Sequence, residues 1–411
     1  MTVAAPAQRR RSALQFYNAR LFLGGQALSN IGTFSQIIAL SLLVLDLTDS
    51  GTALGAVMAV QAIPMMLLAP WAGALLDRLP LRRVMGVTAL MGAAQATCLA
   101  FLTSSGTISM PWVFALSLVL GLVQVFDRPA AQAFIVELVP RETIPSAVSL
   151  SSATQAIGRL GGPALAAVLY SASGPGTVFA VNAVSYTAVL VALALLRSKE
   201  LLSRAKHVGS RASLSAALAY AWQSAPVRSV LLANVLVGLL AFNFATFFAS
   251  IASLTFEQPS LFGIAETVNA ITSLAAGFIL SRYMHRPTTL VVGVACVALG
   301  SSLLWAALAP TPLAFLASMP YFGFVVVWYV TSSQSLVQQH TPPEMGGRMM
   351  SLYTLGSMGT TPLGALIVGA VTDRYSPRAA IGLGAASALV AGVALLLVTI
   401  PYWLSQRKQP A

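Results

Sequence analysis

The chain has 411 residues, of which 57% are hydrophobic and only 8% charged, with 23 basic side chains against 11 acidic ones and a mean hydropathy of +0.81. A soluble globule carries about 25% charged residues and needs them to cover its surface, so a soluble enzyme, a disordered chain and a fibrous one are excluded and a polytopic membrane protein is indicated. The net charge of +12 is spread over short stretches between apolar runs, as topology charges are and as a nucleic-acid-binding patch is not.

Arg9, Arg10 and Arg11 precede an apolar run over 21–47. That run outlasts the roughly 7–15-residue core of a cleaved signal and reads as a first span. Further runs near the ~20 residues that a bilayer crossing needs follow at 53–76, 84–103, 112–134, 146–170 and 176–196. After a polar interval come 229–254, 260–281, 288–308, 312–336, 348–371 and 379–400. The pattern predicts an all-α membrane protein of twelve transmembrane helices in two six-helix bundles. The first bundle is expected over 1–196 and the second, with a short tail, over 229–411. The linker 197–228 carries Leu214, Leu218 and Ala221 at helical spacing beside Trp222, a short surface or linker helix. With the N-terminus in the cytoplasm, twenty basic residues fall on that side, Arg374 and Arg378 fall outside, and Arg159 alone lies deep in a span. Both chain ends are therefore expected in the cytoplasm.

The halves repeat each other weakly at offsets of about 200 residues. Gly73, Asp77, Arg78 and Arg82 align with Gly277, Ser281, Arg282 and Arg286; Pro140 and Glu142 with Pro342 and Glu344; Pro163 with Pro362. Paired repeats around a midplane site are how secondary transporters are built. Gly73 and Asp77 are one helical turn apart on one face. There a small residue admits a close neighbour, and a carboxylate can pair with an arginine or a helix N-terminus. That combination suits a latch between the bundles. The plainer alternative leaves Arg78, Arg82 and Arg83 as topology charges only. Asp127 and Arg128 close span four near the same loop and join this gate in the reading.

Several polar groups inside the spans require partners or water. A charge such as Arg159 at mid-membrane costs about 2.5–3.5 kcal/mol on insertion scales, so it must face a cavity, an acid or backbone carbonyls. Glu266, about 10 Å into span eight at 1.5 Å per residue, is the proton-carrier candidate of the second half, or a carboxylate in a wet vestibule. Gln26, Asn30, Gln124, Gln155, Asn234, Asn243 and Asn269 are candidates to line a central cavity, with Trp328 and Tyr329 as apolar walls. Interhelical hydrogen bonds are the alternative for each. Gly158, Gly161, Gly162 and Pro163 give span five a thin, bendable waist suited to packing between the halves. There is no phosphate-binding G-x-x-x-x-G-K-[ST] run, no metal-ligand cluster and no nucleophile–base pairing, so no ATP, cofactor, metal or enzymatic chemistry is expected.

The run Gly73-Ala-Leu-Leu-Asp77-Arg78-Leu-Pro80-Leu-Arg82-Arg83 resembles motif A of the major facilitator superfamily. Pro80 stands in place of the usual second glycine and Leu81 in place of one basic residue; the copy at Gly277 has Ser281 at the acidic position. The stretch from Phe126-Asp127-Arg128-Pro129 through Glu137 and Pro140-Arg141-Glu142 resembles the subgroup that includes the enterobactin exporter and macrolide efflux proteins, as do Gly158 to Pro163 and Phe179 to Asn182. Gly158 to Pro163 is also similar to the antiporter motif of span five. The resemblance implies a monomeric transporter in the bacterial cytoplasmic membrane. It implies proton-coupled efflux of a hydrophobic or amphipathic small molecule: a drug, macrolide, siderophore or other secondary metabolite. A nutrient importer on the same scaffold, or a non-transporting sensor, are the alternatives.

Overall fold

The computed structural model describes residues 12–76, 78–202, 214–284, 287–342 and 345–407. The first half comprises α1 (Tyr17–Thr48), α2 (Gly51–Leu76), α3 (Leu81–Ser104), α4 (Met110–Leu138), α5 (Ile144–Ser173) and α6 (Pro175–Leu195). A short helix, α7 (Leu214–Gln223), precedes the second half. There α8 (Ala225–Leu240), α9 (Phe244–Ser250) and a π-helical turn (Ile251–Thr255) form one crossing, followed by α10 (Ser260–Tyr283), α11 (Thr289–Leu308) and α12 (Pro312–Gln339). Next, α13 (Gly346–Met358) and α14 (Thr361–Arg374) share a crossing broken at Gly359 and Thr360 before Pro362, and α15 (Pro377–Arg407) ends the fold.

Among the described residues, 11 segments are both long and apolar enough to cross a bilayer. The twelfth crossing is α5, whose 30 residues suffice at 1.5 Å each but whose composition does not. Ser149, Ser151, Ser152, Thr154, Gln155 and Arg159 interrupt its apolar run. A helix like that is stable in a membrane only against protein or water, and this is where the site is found.

The arginine-bearing connections, including Arg78–Pro80 and Val139–Thr143, lie at one end of the bundle, here the basic face. Asp49–Ser50, Gly174 and Tyr375–Ser376 lie at the opposite face. Within the first half α1 packs on α5 and α6, α3 on α4 and α6, and α2 on α4. Within the second, α11 packs on α15 and α12, α10 on α12, and α8 on α13, α14 and α15. The halves meet chiefly through α2 against α14 and α5 against α10.

Small residues make those seams. Gly55 rests on the backbone carbonyl of Ala365, and a methyl on Gly263 would come within 2.8 Å of Ala167 Cβ and 2.9 Å of the Pro163 carbonyl oxygen. Both contacts lie toward the opposite face, where α14 packs on α2, whereas α13, the part of the same crossing nearer the basic face, packs on helices of its own half; the halves are joined at the opposite face and part toward the basic one.

The second half is held by an aromatic cluster. Phe244 meets Phe322 edge-on at 4.7 Å between centroids, Phe248 meets Phe322 at 5.1 Å, and Phe248 meets Phe315 at 5.7 Å. Such pairs add about 0.5–1.5 kcal/mol each beyond their burial. The first half instead carries a buried amide relay. Asn182 Nδ2 donates to Gln36 Oε1 at 2.6 Å and Gln36 Nε2 to Gln95 Oε1 at 3.1 Å, tying α6, α1 and α3 together. Gln36 thus belongs to the packing of α1.

Candidate transport cleft

Along α1, Gln26, Asn30, Thr33, Phe34 and Ile37 recur every three to four residues and so share one face. That face forms a wall of a polar cleft in the first half. α4 contributes Gln124, Asp127, Arg128 and Gln132, α5 contributes Ser151, Thr154 and Gln155, and Tyr186 of α6 closes one side. Pro129 inside α4 removes the N–H that the Val125 carbonyl would otherwise accept, loosening the helix beside Asp127 and Arg128.

Asp127 accepts a hydrogen bond from Thr88 Oγ1 at 2.8 Å, and Asn30 Nδ2 reaches Thr154 Oγ1 at 3.4 Å. Arg159, one turn beyond Gln155, is exposed, with its guanidinium 5.9 Å from the Phe34 ring centroid, a cation–π distance. Its charge acts on Arg128 within the first half and on Glu266 across the α5–α10 seam. Glu266 Oε2 accepts from Asn269 Nδ2 at 3.3 Å, and Asn269 Oδ1 accepts from Ser273 Oγ at 3.3 Å. Among the described residues no acid pairs with Arg128 or Arg159 within ion-pair distance. Each guanidinium brings five N–H donors and no acceptor, so the cleft presents an excess of donors to whatever occupies it. The enclosed recess holds about 60 Å³, room for water but well below the roughly 300–1,000 Å³ of a drug-sized site.

The structure brings Gln26, Asn30, Gln124, Gln155, Asp127 and Arg128 together around this cleft, with Arg159 one turn beyond Gln155 against Phe34, and Glu266 and Asn269 on α10 across the seam. It corrects several other expectations. Asp127 and Arg128 do not join the Arg78–Arg83 loop: α4 runs on from Asp127 to its end at Leu138, and Arg82 donates instead to Ser198 Oγ at 2.6 Å. Arg128 is therefore a cleft residue, not a loop charge. Tyr329 is fully buried among the aromatics, with Phe242 edge-on at 6.1 Å; neighbouring positions on a helix point about 100° apart, and only Trp328 stays half-buried beside Phe324. Asn234 is buried and donates to the Tyr353 carbonyl at 2.8 Å, fastening α8 to α13. Asn243 donates to the Leu239 carbonyl at 2.9 Å and closes the end of α8.

Gly158 and Gly162 pack on α1 inside the first half, where added methyls would meet Asn30 Cβ at 2.6 Å and Ser35 N at 2.9 Å. Gly161 lies 3.5 Å from Ile31 by the same measure. It is Pro163, through its carbonyl, that touches the other half at Gly263. Gly73 lies in α2 and Arg78 in the exposed turn after it. Asp77 lies outside the described residues, so the gate it was expected to form has no geometry here.

Asp373 at the end of α14 escaped the sequence reading. It accepts from Ser50 Oγ and Gly51 N at 2.6 Å each and from Thr52 N at 3.0 Å, across the two halves. Its signal was available: Gly369, Asp373 and Arg374 repeat the spacing of Gly73, Asp77 and Arg78.

Comparison with known proteins agrees with this architecture. The profile of the family described as transmembrane secretion effector matches residues 18–411. The staphyloferrin A transporter of Staphylococcus aureus is 23% identical over 392 residues, covering 95% of this chain and 96% of that protein. Macrolide efflux protein A of Streptococcus pyogenes is 23% identical over 367 residues, covering 88% of this chain and 90% of its own. A POT family transporter solved in complex with a thioalcohol-conjugated peptide superposes with a TM-score of 0.74 at 11% identity, over 93% of this chain and 96% of its own, and so shares the fold. Twelve crossings in two halves, a polar cleft in the first of them and a family match along nearly the whole chain lead to one conclusion: the chain belongs to the transmembrane secretion effector family of the major facilitator superfamily, and is a multi-pass membrane transporter of small molecules.

Proposed function

We propose that the protein expels a hydrophobic or amphipathic small molecule from the cell by alternating access, driven by inward proton flow. The basic face lies in the cytoplasm, as the positive-inside rule requires. The cleft that parts toward that face then takes its cargo from the cytoplasm. The observation that carries the reading is the cleft itself, where Arg128 lies beside Asp127 without an ion-pair partner among the described residues, Arg159 stands against Phe34, and Phe22, Phe34 and Ile37 frame the polar groups. Arg128 and Arg159 suit the carbonyl, hydroxyl or carboxylate oxygens of a substrate. Such oxygens are common to the chemical classes that the staphyloferrin A transporter and macrolide efflux protein A are named for. Asp127 and Glu266 are the proton carriers in this scheme. Protonation must stabilise one conformation more than the other for coupling to occur, and Glu266, seated at the seam between halves, is placed to do so.

The test is accumulation of a panel of macrolides and siderophores in cells with and without the protein. Depletion that collapses when a protonophore is added is the expected result. Enrichment of a panel member in expressing cells would reverse the direction and make the protein an importer.

A further inference from the structure

The geometry points to Asp373 as a positioning residue for transport, a latch that holds the two halves together at the opposite face while the cleft is open to the basic face. The inference rests on the alternating-access reading above.

A helix leaves its first N–H groups unpaired, and an acceptor that satisfies them stabilises the helix start. In α2 that acceptor comes from the other half of the chain. The carboxylate of Asp373 takes the N–H groups of Gly51 and Thr52 and the hydroxyl of Ser50. It also places a negative charge at the positive end of the helix. Ser50 Oγ in turn accepts from Ala53 N at 3.1 Å, so the local cap and the borrowed one form a single network.

The approach depends on glycines. A methyl on Gly51 would come within 2.6 Å of Thr372 Cβ, and one on Gly369 would run into the Gly51 carbonyl oxygen. With Gly55 on the Ala365 carbonyl, this seam sets α2 and α14 at a distance only small residues allow. Asp373 cannot follow if the halves part here. Its three bonds exist in this conformation and must break in the other.

The chain carries the same residue pattern at the far end of the same helix. Gly369-Ala-Val-Thr-Asp373-Arg374 ends α14 against the start of α2, and Gly73-Ala-Leu-Leu76 ends α2 at the basic face with the same Asp-Arg pair next in the sequence. Because α2 and α14 run antiparallel side by side, the two patterns sit at opposite ends of one seam. Asp373 serves the conformation open to the basic face.

The experiment measures spin-label distances on the full-length protein in lipid nanodiscs, in a Cys98→Ser, Cys296→Ala background. One pair, Ser105→Cys with Pro310→Cys, reports the opposite face; the other, Arg141→Cys with Gln339→Cys, reports the basic face. All four positions are exposed. Asp373→Ala should lengthen the opposite-face distance and shorten the basic-face one, raising that population about fivefold or more, as loss of a helix cap does. Ser50→Ala, which removes one of three bonds, should move both distances the same way by less, and it carries the test if Asp373→Ala does not fold. Unchanged distances, or lengthening at both faces, would overturn the latch, the second because it signals general loosening. Asp77→Asn should move both distances in the reverse sense. A response to Asp77→Asn with none to Asp373→Ala removes the latch but leaves alternating access standing; no response to either removes both.

Discussion

Individual charges decide what this protein can do, because each one inside a membrane helix is costly and therefore must be used. Glu266→Gln keeps the shape of the side chain and its bond to Asn269 but removes the titrating group. The expectation is a drop of about tenfold or more in proton-driven flux, with binding of the same compound retained in an equilibrium assay. Arg159 separates charge from geometry. Replacing it by Ala should weaken binding of an oxygen-rich substrate by about 10- to 100-fold, the range for a charge-assisted hydrogen bond. Arg159→Lys should recover only part, since the ammonium lacks the planar fork; equal binding by all three proteins would remove Arg159 from the site. The sequence exposed these two residues because a charge in an apolar run stands out. It could not separate Gln124 from Asn234, since both are amides in apolar runs and only packing decides which side of a helix meets water.

At the scale of helices, the fold is written in small residues as much as in apolar ones. Gly158 and Gly162 face the α1 backbone at distances that no Cβ tolerates, whereas Gly161 has room. Gly158→Ala and Gly162→Ala should therefore each cost about 1–3 kcal/mol from overpacking, seen as a lower Tm in detergent. Gly161→Ala should be neutral or stabilising, since glycine in a helix costs roughly 0.5–1 kcal/mol against alanine. The same drop in Tm for all three would mean that α1 and α5 do not pack this way. The positions and lengths of the crossings could be read from hydropathy alone. The partner of each glycine stripe could not, and Gly158 to Pro163 was expected between halves because a small-residue face carries no address. The hydropathy of α5 was also ambiguous: its polar side looks like a weak span in sequence and becomes a cleft wall in three dimensions.

For the whole molecule, two halves joined at one face and parted at the other define a direction, and the positive-inside rule predicts which way it points. Labelling with a membrane-impermeant maleimide on intact cells should reach Ser105→Cys and Pro310→Cys, while Arg141→Cys and Gln339→Cys should react only in everted vesicles; the reverse pattern would turn the protein over in the membrane. The repeat offset near 200 residues made the paired architecture legible, yet Asp373 stayed hidden because its match lies with α2, outside that repeat. The most direct test of the account is proton release from everted vesicles acidified inside, followed by a pH-sensitive dye while macrolides and siderophores are added in turn. A transported compound should discharge the gradient with the wild-type protein and fail to do so with Glu266→Gln. Discharge that persists in both Glu266→Gln and Asp127→Asn, or export of a compound with no proton movement, would contradict it.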